Sequence, residues 1–199
     1  MRSNRHRPGV YWGRFNPPHR GHLAVIRGLR RKGPLVIAIG SSEHANEREN
    51  PFRGAERKAM LEAYLEESGI EGVRVVTLRD GPSESWALDH LIRRCHPGVL
   101  YLSTEKSVLA DLAAHRVSVI RFPRTGTMSS TRVRDSIAAG DDRWRSWTGH
   151  SVARLIEQRD GLRRVREAYA RDAPDRVPVN RGRRRSATGR PRATAPGPR

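Results

Sequence analysis

Five short apolar runs, each followed or preceded by a stretch with helical spacing, leave this chain little choice of fold class. The runs are Val10-Tyr11-Trp12, Leu35 to Ile39, Val73 to Leu78, Val99 to Leu102 and Val117 to Ile120. Between them apolar residues recur three and four apart, as in Leu23, Val25, Ile26 and Leu29, in Met60, Leu61, Tyr64 and Leu65, and in Trp86, Leu88, Leu91 and Ile92. That spacing predicts helices after Pro18, over about 55–67, up to about Arg94, and from Glu105 to His115. Strands alternating with helices build βαβ units and hence a parallel sheet. The unbroken run Leu35 to Ile39 fits a strand buried on both faces. The expected fold is therefore a Rossmann-like α/β domain with a doubly wound, parallel five-stranded sheet. Further helices ending near Gly140 and spanning about 151–158 and 161–170 close it. In such sheets ligands bind beyond the carboxyl ends of the strands, near the point where strand order reverses.

The loop leaving the first strand reads Gly13-Arg14-Phe15-Asn16-Pro17-Pro18-His19-Arg20-Gly21-His22. It sits where a helix begins, and a helix start offers unpaired backbone N–H groups and a partial positive charge to an anion. Gly21 removes bulk where a ligand would approach the backbone. With the helix starting near Pro18, His19 and His22 lie three apart on one face. Two imidazoles and the Arg14 guanidinium then converge on one anionic group. The plain alternative is a proline-rich turn with two solvated histidines.

Two further segments carry similar chemistry. Ser129-Ser130-Thr131 precedes Arg132-Val133-Arg134 and reads as a helix N-terminus whose hydroxyls and N–H groups suit the β and γ phosphates of a triphosphate, with Arg134 one turn in. Its plain alternative is an ordinary N-cap. Gly40-Ser41-Ser42 ends the second strand, and Asn50-Pro51-Phe52-Arg53-Gly54-Ala55-Glu56-Arg57 leads into the next helix. Glu56 and Arg57 could equally be a solvated first turn.

Together these segments resemble the HxGH nucleotidyltransferase superfamily, whose members move a nucleotidyl group from ATP or CTP onto a phosphate. The longer strings look most like archaeal-type nicotinamide-nucleotide adenylyltransferases, where GRFQPFHxGH, GS…NPFTAGER and ISSTxxR are typical. Here Asn16 replaces Gln, Pro18 replaces Phe, Arg53-Gly54-Ala55 replaces Thr-Ala-Gly, and Met128 replaces Ile. The resemblance spans roughly residues 9 to 168. It implies transfer of AMP from ATP to nicotinamide mononucleotide (NMN), giving NAD and pyrophosphate. It assigns His19, His22 and Arg134 to catalysis, and Gly13, Arg14, Phe15, Ser129, Ser130 and Thr131, with the same three, to ATP. It places Gly40, Ser41, Arg48, Asn50, Pro51, Phe52, Arg57 and Trp86 around the mononucleotide, with Arg48 at its phosphate and Trp86 stacked on its pyridinium. Helix tryptophans also serve as core, and Ser103-Thr104 stands where the family commonly has Gly-Asn. Siblings that use flavin mononucleotide, phosphopantetheine or glycerol phosphate share the same signatures.

Charge qualifies this reading. The 199 residues carry a formal +18 and only 36% hydrophobic residues, a balance that also suits a nucleic-acid-binding protein built on an inactive transferase fold. Between 171 and 199, nine arginines and two aspartates contribute +7, leaving +11 for the remainder. That segment is rich in Arg and Pro with almost no apolar run, so disorder is expected there, and weak contact with nucleic acid through it. The domain itself is expected over 9–170, after a basic extension over 1–8. One cysteine, Cys95, excludes an internal disulfide framework or a cysteine-based zinc site, and reads as packing. No carboxylate cluster suggests a metal cage, so Mg2+ is expected to arrive with ATP. Neither a signal-type apolar segment nor a membrane-length run occurs. A soluble cytoplasmic protein, assembled as a homo-oligomer, is the expectation.

Overall fold

The computed structural model describes residues 7–102, 117–122 and 127–172. Within them five strands form one sheet: β1 (Gly9–Gly13), β2 (Leu35–Ile39), β3 (Val73–Thr77), β4 (Val99–Leu102) and β5 (Ser118–Arg121). Their order is β3-β2-β1-β4-β5, and every neighbouring pair is parallel. The chain thus winds outward from β1 through β2 to β3, then returns to lay β4 on the other side of β1. This is the doubly wound five-stranded sheet that the apolar runs predict, with its reversal between β1 and β4.

Alternate residues of each strand feed two cores. Tyr11, Leu35, Ile37, Ile39 and Val75 face α1 (Arg20–Arg30), α2 (Gly54–Glu67), α4 (Ser130–Ala138) and the C-terminal helices. Val10, Trp12, Val36, Ala38 and Val76 face the other way, against Ala87, Leu88, Leu91 and Cys95 of α3 (Glu84–Cys95). All five residues of β2 are buried, as an interior parallel strand requires. Cys95 is buried within the second core and unpaired, in keeping with a packing role.

Three more helices complete the described residues: α5 (Trp144–Trp147), α6 (His150–Gln158) and α7 (Gly161–Arg171). The four-residue α5 has no periodicity of its own to read; it forms around Trp144, which is 1% exposed. The N-cap of helix α6 is Gly149, which has no side chain to cap it. Glu67 of α2 supplies the cap, accepting from the N–H groups of His150 at 3.0 Å and Ser151 at 2.7 Å. The expected helix from 105 to 115, Ser103-Thr104 and the basic segment from 173 onward lie outside the described residues. No described helix is long and apolar enough to cross a membrane.

Candidate active site

The loop between β1 and α1 is the hub of the carboxyl edge. Helix α1 begins at Arg20, two residues later than the proline signal suggests, because His19 is its N-cap in an extended conformation. His19 Nδ1 accepts the Gly21 N–H at 3.1 Å, and His22 Nδ1 accepts the His19 N–H at 3.2 Å. Each ring therefore closes one side of a reciprocal cap. With both Nδ1 atoms accepting, the N–H that each ring has left to offer a ligand is at Nε2. The rings lie 3.7 Å apart, tilted by 33°. Within the protein, Gly21 also makes room for the His19 ring, since a Cβ there would sit 3.0 Å from it.

Phe15 seals the loop from below. It is 1% exposed and meets Tyr11 edge-on at 5.1 Å and His22 at 4.8 Å. Asn16 is 1% exposed and clips the second motif to the first. Its amide donates to Asn50 Oδ1 at 3.3 Å and the Phe52 carbonyl at 3.2 Å, while its Oδ1 accepts the Phe52 N–H at 3.3 Å. Asn50, Pro51 and Phe52 are buried accordingly.

The third motif docks on the same loop. Ser129 caps α4 by accepting the Arg132 N–H at 3.1 Å, and Ser130 donates to the Pro17 carbonyl at 2.9 Å. Arg134 donates to the Asn16 carbonyl at 2.8 Å and to Thr131 Oγ1 at 3.3 Å. Arg134 is 4% exposed, its Nε has no hydrogen-bond partner, and burial pulls its pKa below the ordinary arginine value. Thus Ser129, Ser130, Thr131 and Arg134 are brought beside His19 and His22, with Met128 against Gly21.

The other arginines take different partners. Arg14 pairs with Glu49, and both act electrostatically on Arg134. Arg48 pairs with Asp172 at 3.1 Å, with its guanidinium 4.7 Å from the ring of Tyr169, which Arg134 also reaches. Arg57 is fully buried and points inward, donating to the carbonyls of Arg14 at 2.7 Å, Gly40 at 2.9 Å and Ser41 at 2.5 Å. Burial pushes its pKa down to about 10. Its guanidinium is a strut between the ends of β1 and β2 rather than a solvated first-turn charge. Ser41 also gives its N–H to Asp80 at 2.8 Å, joining the β3 end to the same edge.

Trp86 is half-buried in the first turn of α3 and belongs to neither core. Its ring stacks on His90, 5.0 Å apart at 18°. Gly81 packs against the same indole, where a Cβ would lie 2.0 Å from Cε3; its φ of +66° also favours glycine. Glu49, Asp80, His90 and Tyr169 carried no signal in the sequence, because each acquires its role only through a partner distant in the chain or a turn away. Among the described residues no three His, Cys, Asp or Glu side chains gather to hold a metal ion.

Residues 10–136 match the cytidylyltransferase-like family model. The chain belongs to the cytidylyltransferase-like family. Its relatives include the nicotinamide-nucleotide adenylyltransferase of Pyrobaculum neutrophilum, 34% identical over 82% of this chain and 95% of that protein. The protein of the same name from Caldivirga maquilingensis is 32% identical over 79% of this chain and 92% of its own length. Among solved structures, a bifunctional NMN adenylyltransferase/ADP ribose pyrophosphatase from Francisella tularensis, complexed with AMP and a manganese ion, matches with a TM-score of 0.64 at 20% identity. The match covers 83% of this chain but 52% of that one, so the chain spans about half its length. Plasmodium falciparum nicotinic acid mononucleotide adenylyltransferase, complexed with NaAD, matches with a TM-score of 0.55 at 11% identity, over 79% of this chain and 98% of that one. These two likenesses concern the fold.

Proposed function

We propose that this chain is an adenylyltransferase that moves AMP from ATP to NMN, yielding NAD and pyrophosphate. One observation carries the reading: the HxGH turn and the SSTxxR turn share a single loop, through Arg134 on the Asn16 carbonyl and Ser130 on the Pro17 carbonyl. Two helix starts and a buried guanidinium thereby face one space at the sheet's reversal point, an arrangement suited to a polyphosphate. The names of its relatives support ATP and NMN as the pair.

The chemistry asks little beyond position and charge. An NMN phosphate oxygen attacks the α-phosphorus of ATP, the bond from that phosphorus to the bridging oxygen breaks, and pyrophosphate leaves with its electrons. The phosphate has its second pKa near 6, so at neutral pH it is already a nucleophile and no general base is required. The Nε2–H groups of His19 and His22 donate to the α and β phosphates as charge builds on them. Arg14 and Arg134 neutralise the polyphosphate, and the α4 start holds its far end. Trp86 receives the pyridinium, a cation over an indole face. A divalent cation, Mg2+ in this reading, comes bound to ATP and screens its charge. Residues 9–170 form the working domain, and a cytoplasmic homo-oligomer belongs to the same proposal.

A second reading, a sibling enzyme using another phosphorylated acceptor, draws on one observation. Arg48, assigned to the acceptor phosphate, pairs with Asp172. The test is pyrophosphate release with ATP and magnesium, offering NMN in one reaction and flavin mononucleotide, phosphopantetheine or glycerol phosphate in others. NAD appearing with NMN establishes the first reading; release only with another acceptor keeps the mechanism and discards NMN.

A further inference from the structure

A second concavity lies beside the C-terminal helix. It encloses about 610 Å³ between the loop at Asn46, the start of α2 and the outer face of α7, and Arg53, Arg159, Arg163, Arg164 and Arg171 line it. None of its lining residues belongs to the α1 or α4 turns.

The five arginines are not equivalent. Arg164 is the floor: its side chain is 15% exposed and donates to Glu56 Oε1 at 2.7 Å, the Pro51 carbonyl at 2.5 Å and Asn46 Oδ1 at 3.0 Å. Its charge is matched by Glu56. Arg163 is matched by Asp160 and Glu167. Arg53 and Arg159 are exposed and form no ion pair with any described residue. Arg171 is exposed and donates to the Asn46 carbonyl at 2.5 Å, a neutral partner that leaves its charge intact. A charge-balanced floor is therefore ringed by three exposed guanidiniums, of which Arg159 acts on Glu56 without pairing to it, and the five lining arginines outnumber the two lining carboxylates, Glu56 and Glu167, by three.

We infer that this groove binds the phosphodiester backbone of nucleic acid. Guanidinium is the side chain best matched to phosphate oxygens, through its planar set of N–H donors. Three such groups around an open groove suit a ligand whose phosphates repeat along a chain. No described aromatic side chain lines the groove, so there is no platform for stacking bases. Contacts confined to phosphates position a strand without reading it, so binding is independent of sequence and falls steeply with salt.

The experiment follows a fluorescein-labelled 20-base-pair DNA duplex by anisotropy across a salt series, using the full chain and the triple variant Arg53→Gln/Arg159→Gln/Arg171→Gln. The basic C-terminal segment is present in both proteins, so the difference reports the groove. Each phosphate that a guanidinium neutralises adds about 0.9 to the slope of log affinity against log salt, so the slope should be shallower by about 2.7 in the triple variant. Pyrophosphate release should be unchanged, and an unshifted melting temperature confirms that the variant is folded. Should the variant melt early, Arg53→Gln/Arg159→Gln, which leaves the Arg171 tie to the Asn46 carbonyl in place, should still flatten the slope by about 1.8. Equal slopes for wild type and variants overturn the inference, as does absence of duplex binding at low salt. Tight binding of a short inorganic polyphosphate without duplex binding overturns the assignment to nucleic acid.

Discussion

Arg134 donates to the main-chain carbonyl of Asn16 at 2.8 Å, across 118 residues of sequence. A buried cation so held is costly to desolvate, and its position over the α1 turn gives that cost a use. Arg134→Lys is expected to lower turnover at least tenfold, because one ammonium cannot span both the Asn16 carbonyl and Thr131 while facing a phosphate. The accompanying stability loss should be about 1–2 kcal/mol by urea denaturation. Unchanged turnover would remove Arg134 from the chemistry and leave it as a tie between loops.

His22 does two separable things. Its Nδ1 caps α1 by accepting the His19 N–H, and its Nε2–H is the donor assigned to phosphate. His22→Ala removes both, with about a hundredfold loss of turnover and about 1 kcal/mol of stability. His22→Asn can keep the cap through its side-chain oxygen while losing the donor. It should therefore melt close to wild type yet turn over as poorly as the alanine variant; Asn variants with wild-type turnover would show that only the cap matters.

Apolar runs alternating with helically spaced segments made the sheet legible in advance, because an interior parallel strand such as β2 is apolar throughout and the α1 face repeats with the helical period. The three motifs were legible as strings for the same local reason. What they do to one another was not. Arg57 is spelled the same whether its guanidinium lies in solvent or braces three carbonyls, and only the meeting of residues 14, 40 and 41 decides between them. Arg48 found Asp172, and Glu49 found Arg14, through a loop whose path depends on the α7 end and on Asn16. His19 as a cap rather than a helix-face residue turns on a single backbone conformation.

Trp86 lies outside both cores, so its truncation should leave stability nearly intact while raising the KM for NMN more than that for ATP. Loss of a cation–π contact of about 0.5–2 kcal/mol corresponds to a few-fold to about thirtyfold change. His90 stacks on the same indole. Steady-state kinetics of Trp86→Ala decide the matter: equal effects on both KM values would mean that the ring shapes the crevice in general rather than receiving the pyridinium.

Arg57→Ala leaves the carbonyls of Arg14 and Gly40 without this donor, while Ser41 keeps the His44 N–H. A buried acceptor left unsatisfied costs about 1–3 kcal/mol, and the Gly40 carbonyl is the buried one, so a loss of about 2 kcal/mol is expected in chemical denaturation. A loss below about 1 kcal/mol would mean that water replaces the guanidinium freely.

Glu56 gives the fold an acid-sensitive joint. Burial pushes its carboxyl pKa up, but the paired Arg164 guanidinium and the Arg53 N–H outweigh burial and hold it below the ordinary 4.5. A carboxylate whose pKa is lower folded than unfolded adds stability that is fully present above the unfolded pKa. That contribution is lost as pH falls through the lower, folded value. Wild type should therefore lose stability as pH drops from about 5 toward 3, and Glu56→Gln should start less stable and show a shallower decline over the same window. Breaking one side of a largely buried pair costs about 3 kcal/mol at neutral pH. Parallel pH profiles for the two proteins would place the acid sensitivity elsewhere, with Glu67 at the α6 start the next carboxylate to replace, since its pKa is also held down by the hydrogen bonds it accepts from Ser151 and His150 against the upward push of burial.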